Sequence, residues 1–162
     1  MGLFSFLKKS GAKVLTKKNA STVETDEIKK MQEEIFNKQK VILLKGVVKN
    51  LKIEVDNLDI DYDDETVRVY GQVGTQAEKE KVVLALGNVS GVAQVDDRLS
   101  VVKKAPEAQF YVVKRGDSLS KIAKKFYGDP MKYKELFKAN QPLLKDPNKI
   151  FPGQSLRIPP MD

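Results

Sequence analysis

Thr75-Gln76-Ala77-Glu78, followed by Val82, Val83 and Leu86 and closed by Gly87-Asn88-Val89-Ser90-Gly91-Val92, is the stretch that decides how the chain is read. Thr75 and Glu78 have capping-box spacing, in which a hydroxyl and a carboxylate satisfy N–H groups that a helix start leaves without partners. Val82, Val83 and Leu86 supply a buried stripe. Gly87-Asn88 are residue types that accept the left-handed conformation of a C-terminal cap. The spacing therefore predicts a helix ending at Gly87. The last carbonyls of such a helix lack intrahelical partners and lie at the negative end of its dipole. Gly91 allows the chain to fold back and aim further carbonyls at the same point. Two readings follow: a helix stop with a tight turn, or a cation site made of backbone oxygen with no carboxylate.

Around this stretch the apolar period is two. Leu51, Ile53 and Val55, then Leu58, Ile60 and Tyr62, then Val67 and Val69, alternate with polar residues, and a closing strand is expected around Val95 to Val102. These read as strands of one sheet with a single buried face. Upstream, a helix is expected from about Asp26, with Ile28, Met31, Ile35 and Phe36 spaced for one face. Val41 to Val48 either continue it or open a strand. Leu3, Phe4 and Leu7 recur at helical spacing, so a short amphipathic helix ending at Ser10-Gly11 is expected at the start, docked on the domain through its apolar face.

Lys103 to Ala108, small and polar around Pro106, reads as a linker. Beyond it the order is strand, helix, helix, strand. Tyr111-Val112-Val113 is the first strand. Asp117 or Ser118 caps a helix bearing Leu119, Ile122, Ala123 and Phe126 and ended by Gly128. Asp129-Pro130 starts a second helix with Tyr133, Leu136 and Phe137 inward. Ser155 to Ile158 closes the unit.

Composition narrows the chemistry. The 162 residues include neither cysteine nor histidine, which removes disulfides, thiolate metal sites and Ser-His or Cys-His nucleophilic catalysis. No carboxylate pair stands near a recognisable substrate pocket, and a non-enzymatic role is expected. The acid run Asp56, Asp59, Asp61, Asp63, Asp64, Glu65 fails as a calcium loop: counted from Asp59, Asp64 falls where glycine is required and Tyr70 where the bidentate Glu belongs. A solvated strand face plus a turn accounts for it better.

The net charge of +7 is uneven. Residues 1–20 carry about +5, residues 21–103 about −4 and the rest about +6, which favours contact between the middle and the C-terminal part. No helix-turn-helix, RNA-recognition or zinc-finger signature accompanies the lysines, so nucleic acid is not expected as a partner. No run reaches membrane-spanning length, and the first nine residues lack the order of a signal peptide, which places the protein in the cytoplasm without stable membrane insertion.

Two resemblances follow from these residues. Tyr111 to Ala123, with Ala139-Asn140 and Ile150-Phe151-Pro152-Gly153-Gln154-Ser155-Leu156-Arg157-Ile158-Pro159, resembles a LysM domain. The capped helix with Gly91-Val92-Ala93-Gln94-Val95-Asp96-Asp97 resembles a BON domain. The implied fold class is α+β: an N-terminal helix and polar segment over 1–23, a BON-type α/β sandwich over 24–103, a linker over 104–109 and a small βααβ LysM domain over 110–162. Together, opened by Met1-Gly2-Leu3-Phe4, the two halves resemble the bacterial cytoplasmic potassium-binding family that joins BON to LysM.

That resemblance implies a monomeric potassium sensor or buffer in which main-chain carbonyls hold the ion. Carried over by position, these belong to Leu7, Lys8 and Ser10 and to Gly87, Val89 and Val92. It implies K+ as ligand, with Rb+ or Cs+ as possible substitutes, and ion-dependent ordering relayed through contact between BON and LysM. A neutral cage of carbonyls suits a large, weakly hydrated ion and lacks the fixed negative charge that favours calcium. The alternative implied by the LysM half is binding of peptidoglycan or N-acetylglucosamine polymers, through Gly116, Asp117, Ser118, Leu119, Ile150 and Pro152.

Overall fold

Alternation of apolar and polar residues at period two does build one sheet, and a second small sheet closes the C-terminal unit. The computed structural model describes residues 2–5 and 23–161. The elements are β1 (Gly2–Ser5), α1 (Val23–Asn50), β2 (Asp56–Asp63), β3 (Thr66–Thr75), α2 (Gln76–Gly87), β4 (Gln94–Lys103), β5 (Gln109–Val112), α3 (Leu119–Tyr127), α4 (Tyr133–Ala139) and β6 (Ser155–Ile158). The fold class is α+β.

The four-stranded sheet has the order β1-β4-β3-β2. β2 and β3 form an antiparallel hairpin whose two-residue connection, Asp64-Glu65, has positive φ at both residues. Such a turn matches the right-handed twist of its strands, so the end of the acid run is a hairpin turn. β3 and β4 are parallel, and α2 is the crossover between them. Their cross-strand partners Val67 and Val95 are both fully buried beneath α2.

The start of the chain differs from the amphipathic helix that Leu3, Phe4 and Leu7 imply. Gly2–Ser5 is a strand, antiparallel to β4, pairing Gly2 with Asp97 and Ser5 with Gln94. Unpaired edge groups of β4 offer hydrogen bonds that a one-turn helix in water does not have. Phe4 rests 5.1 Å from the Phe110 ring, centre to centre. Leu7, Lys8 and Ser10 lie outside the described residues.

α1 continues through Val41–Val48 to Asn50. Leu44 and Val48 are buried, whereas Ile28, Met31, Ile35 and Phe36 are each more than half exposed. Twenty-eight residues span about 42 Å, so only the C-terminal half lies on the domain. Lys52, at φ 57°, ends the run. Leu51, Ile53 and Val55, expected in a strand, pack on the core from a turn and an extended stretch instead.

In the C-terminal unit Ser118 Oγ accepts the Lys121 N–H (3.2 Å) and Gly128, at φ 73°, closes α3. Asp129 caps a 3-10 turn, Pro130–Lys132, that leads into α4. Asn140 is fully buried: Nδ2 donates to Leu136 O (2.8 Å) and Arg157 O (2.9 Å), and Oδ1 accepts from Arg157 N (2.7 Å). One side chain thereby joins α4 to β6, which pairs with β5. Buried polar groups satisfied in this way fix a unique arrangement.

Candidate functional site

The capping box is formed in full: Thr75 Oγ1 accepts from Glu78 N (3.2 Å) and Glu78 Oε2 from Thr75 N (2.8 Å). α2 therefore begins at a fixed residue and ends at Gly87. Its cap, Asn88, has φ −83° and ψ −5°, right-handed rather than the left-handed geometry expected. The reversal falls on Gly91, at φ +83°. The right-handed cap lets the Asn88 N–H reach Leu84 O and Leu86 O, while Val92 N donates to Val89 O (3.2 Å) across the following turn.

Gly87, Val89 and Val92 are thus brought into one short excursion between α2 and β4. Gly87 and Val92 are buried and Val89 is half-buried. Among the described residues no turn or loop hydrogen bond reaches the Gly87 or Val92 carbonyl. Gly91 O accepts from the Tyr62 hydroxyl (2.8 Å), and Ser90 O accepts from Lys40 Nζ. Burial, with Glu65 and Asp64 adding to it, pushes the Tyr62 hydroxyl above its ordinary value, so it remains a donor across the physiological range. Ala93 N and Gln94 N both donate to Glu65 O, tying the excursion to the acidic hairpin. Among the described residues no group of three or more acidic side chains is placed to hold a metal ion. Neutral oxygens at a helix C-terminus are the donor set available here, and they fit a monovalent cation.

The C-terminal unit docks on the same helix end. Asn88 Nδ2 donates to Ser155 O (3.2 Å) and Asn88 Oδ1 accepts from Ser155 N (3.1 Å), as a paired strand residue does. Arg157 Nε donates to Glu80 Oε2 (3.0 Å), and Glu80 Oε1 accepts from Ala108 N (3.0 Å). Both members of this ion pair are buried. Neither contact is visible from the three-residue stripe Val82, Val83, Leu86. The signal that carries it is the unbroken apolar run from Val82 to Gly87, all buried, because a helix apolar all round is covered all round.

Of the other predicted residues, Asp117, Ser118, Leu119 and Ile150 line one open groove of about 410 Å³ with Tyr133 and Asn148, while Gly116 and Pro152 do not line it. The polar groups on that wall already hold the fold. Asp117 Oδ2 accepts from the Tyr111 hydroxyl (2.6 Å) and Lys114 N (2.8 Å). The hydroxyl, then the amide, hold the Asp117 carboxyl below its ordinary value, and the same bond pushes Tyr111 up to about 12. Leu119 is a core residue, and Gly116 O accepts from Lys121 Nζ (3.0 Å).

Comparison with known proteins matches the LysM domain to residues 111–159 and the BON domain to residues 39–103. The potassium binding protein Kbp of Escherichia coli O6:H1 is 41% identical over 159 residues, covering 98% of this chain and 99% of that protein. An uncharacterized protein of Deinococcus radiodurans is 55% identical over 49 residues, 30% of this chain and 19% of its own length. An endolysin of Bacillus phage B103 is 32% identical over 91 residues, 56% of this chain and 32% of its own length.

Proposed function

Since the chain belongs to the family of the potassium binding protein Kbp, with a BON and a LysM domain, we propose that it is a monomeric, cytoplasmic potassium sensor or buffer without catalytic activity. Potassium is held by the carbonyls of Leu7, Lys8 and Ser10 and of Gly87, Val89 and Val92, with Rb+ or Cs+ as substitutes.

The observation that carries this reading is a register. Ser5, the last described residue of β1, pairs with Gln94, two residues from Val92. Leu7 follows Ser5 by two residues, a reach of at most about 7 Å. We infer that the chain after Ser5 runs toward the excursion between α2 and β4, whose Gly87 and Val92 carbonyls receive no turn or loop bond among the described residues. An ion bridging the two segments closes a loop of about eighty residues, so it orders the N-terminal segment against the BON sheet. Asn88 stands between two of the ligand residues and holds β6 with its side chain, which gives the LysM domain a direct mechanical stake in that order.

Calorimetry with K+, Rb+, Cs+ and Na+ at constant ionic strength tests the reading: heat with the three larger ions and little with sodium supports it, and no ion-specific heat ends it. A second reading, glycan binding, draws on the groove beside Asp117 and Ile150 and on the partial match to an endolysin. Retention on insoluble peptidoglycan, without any ion response, favours that one.

A further inference from the structure

Lys40 joins two features seen separately elsewhere in the chain, a peptide carbonyl as at Lys121 and an aromatic face as at Lys125. Its ammonium donates to Ser90 O, lies 6.0 Å from the centre of the Tyr62 ring, and sits 3.2 Å from where a Cβ on Gly91 would stand. Lys45, Lys79 and Lys132 each face a carboxylate, Asp59, Asp97 and Glu135 respectively. Among the described residues Lys40 makes no such ion pair; its charge rests on a peptide carbonyl and an aromatic face. Those are the groups that receive weakly hydrated monovalent cations. The Tyr62 hydroxyl holds the neighbouring Gly91 carbonyl, and the Phe36 ring meets Tyr62 edge-on at 6.4 Å, so the ammonium lies at the exposed edge of a turn whose aromatic neighbour is itself held in place.

We propose that the Lys40 ammonium is a tethered cation that competes with potassium for the Val89–Val92 carbonyl turn and so sets the affinity of the site. The inference rests on the potassium reading above. A bound ion and a lysine ammonium repel each other and draw on the same field of aligned carbonyls, so occupancy by one disfavours the other. Lys40 lies on α1, which makes release of this helix from the turn part of the response to the ion.

The test is a potassium titration of the full chain by calorimetry, comparing wild type with Lys40→Met, which keeps the methylene stem, and Lys40→Arg, which keeps the charge. Lys40→Met is expected to bind potassium about fivefold tighter, the scale of one partly exposed charged hydrogen bond. Lys40→Arg should stay within about twofold of wild type. The Lys40 Nζ signal in 15N NMR should shift as wild type takes up potassium. Lys40→Gln, with melting curves taken without potassium, substitutes if the methionine variant is unfolded. Affinity equal to or below wild type in a folded neutral variant overturns the proposal while leaving the potassium reading intact. A wild type that takes up no potassium overturns both, unless the neutral variant binds, in which case the competition stands.

Discussion

Gly91 is the residue on which the turn depends. At φ +83° an L side chain is strained, and an added Cβ would meet Lys40 Nζ at 3.2 Å. Gly91→Ala should lower stability by about 1 kcal/mol and weaken potassium binding, read by thermal melting and calorimetry; an unchanged response would mean that the carbonyls around Gly91 do not hold the ion. At the other end of the chain the Tyr111–Asp117 pair carries a pH signature. Asp117 titrates below 3.8 in the folded protein, so its contribution is present above 3.8 and fades as pH falls through the lower, folded value. Tyr111, pushed up to about 12, contributes below 10, and that contribution is lost as pH rises through about 12. Tyr111→Phe should return Asp117 toward 3.8 in a carboxyl 13C NMR titration; an unmoved Asp117 would assign the shift to Lys114 N–H instead. Gly91 was legible in the sequence because a second glycine after a helix stop has few other uses. The right-handed cap at Asn88 and the partnership of Lys40 with Ser90 were not, since both depend on groups fifty or more residues away or on which of two residues takes the reversal.

Among the elements, α2 organises the molecule because it touches the sheet, α1 and β6 together. Its capping box was legible, residue by residue, and is formed. Thr75→Ala should cost about 1 kcal/mol in a denaturant melt; no loss would mean that packing alone sets the start of α2. Glu80 ties α2 to Arg157 and to the linker at Ala108. Removing one member of a buried ion pair strands the other, so Glu80→Ala should cost about 3 kcal/mol, seen as a separate, earlier unfolding step of the C-terminal unit. A single transition at the wild-type midpoint would contradict that. The sequence reading placed α2, β3, β4, α3 and β6 correctly because each has a cap, a period or a glycine stop. It misread Gly2–Ser5, since four residues show no difference between one helical turn and two apolar positions of a strand. What chooses the strand is the free edge of β4, which no local pattern records.

For the whole molecule, the uneven charge and the buried Glu80–Arg157 pair describe one situation: a BON unit of net negative charge against a LysM unit of net positive charge. The ion, if held where proposed, adds stability by mass action, about 2.7 kcal/mol at a hundredfold excess over Kd. Deleting residues 1–10 should abolish that gain while leaving the far-UV circular dichroism of both units in place, since β1 is an edge strand and the described core lies between the other strands, α1 and α2. A truncated chain that keeps the gain would remove Leu7, Lys8 and Ser10 from the site. The measurement that reaches the central claim most directly is backbone carbonyl 13C NMR of the full chain titrated with K+ and, separately, with Na+ at equal ionic strength. The predicted result is a saturable shift of the Leu7, Lys8, Ser10, Gly87, Val89 and Val92 carbonyls with potassium and not with sodium; carbonyls that stay still, or move alike in both salts, would contradict it.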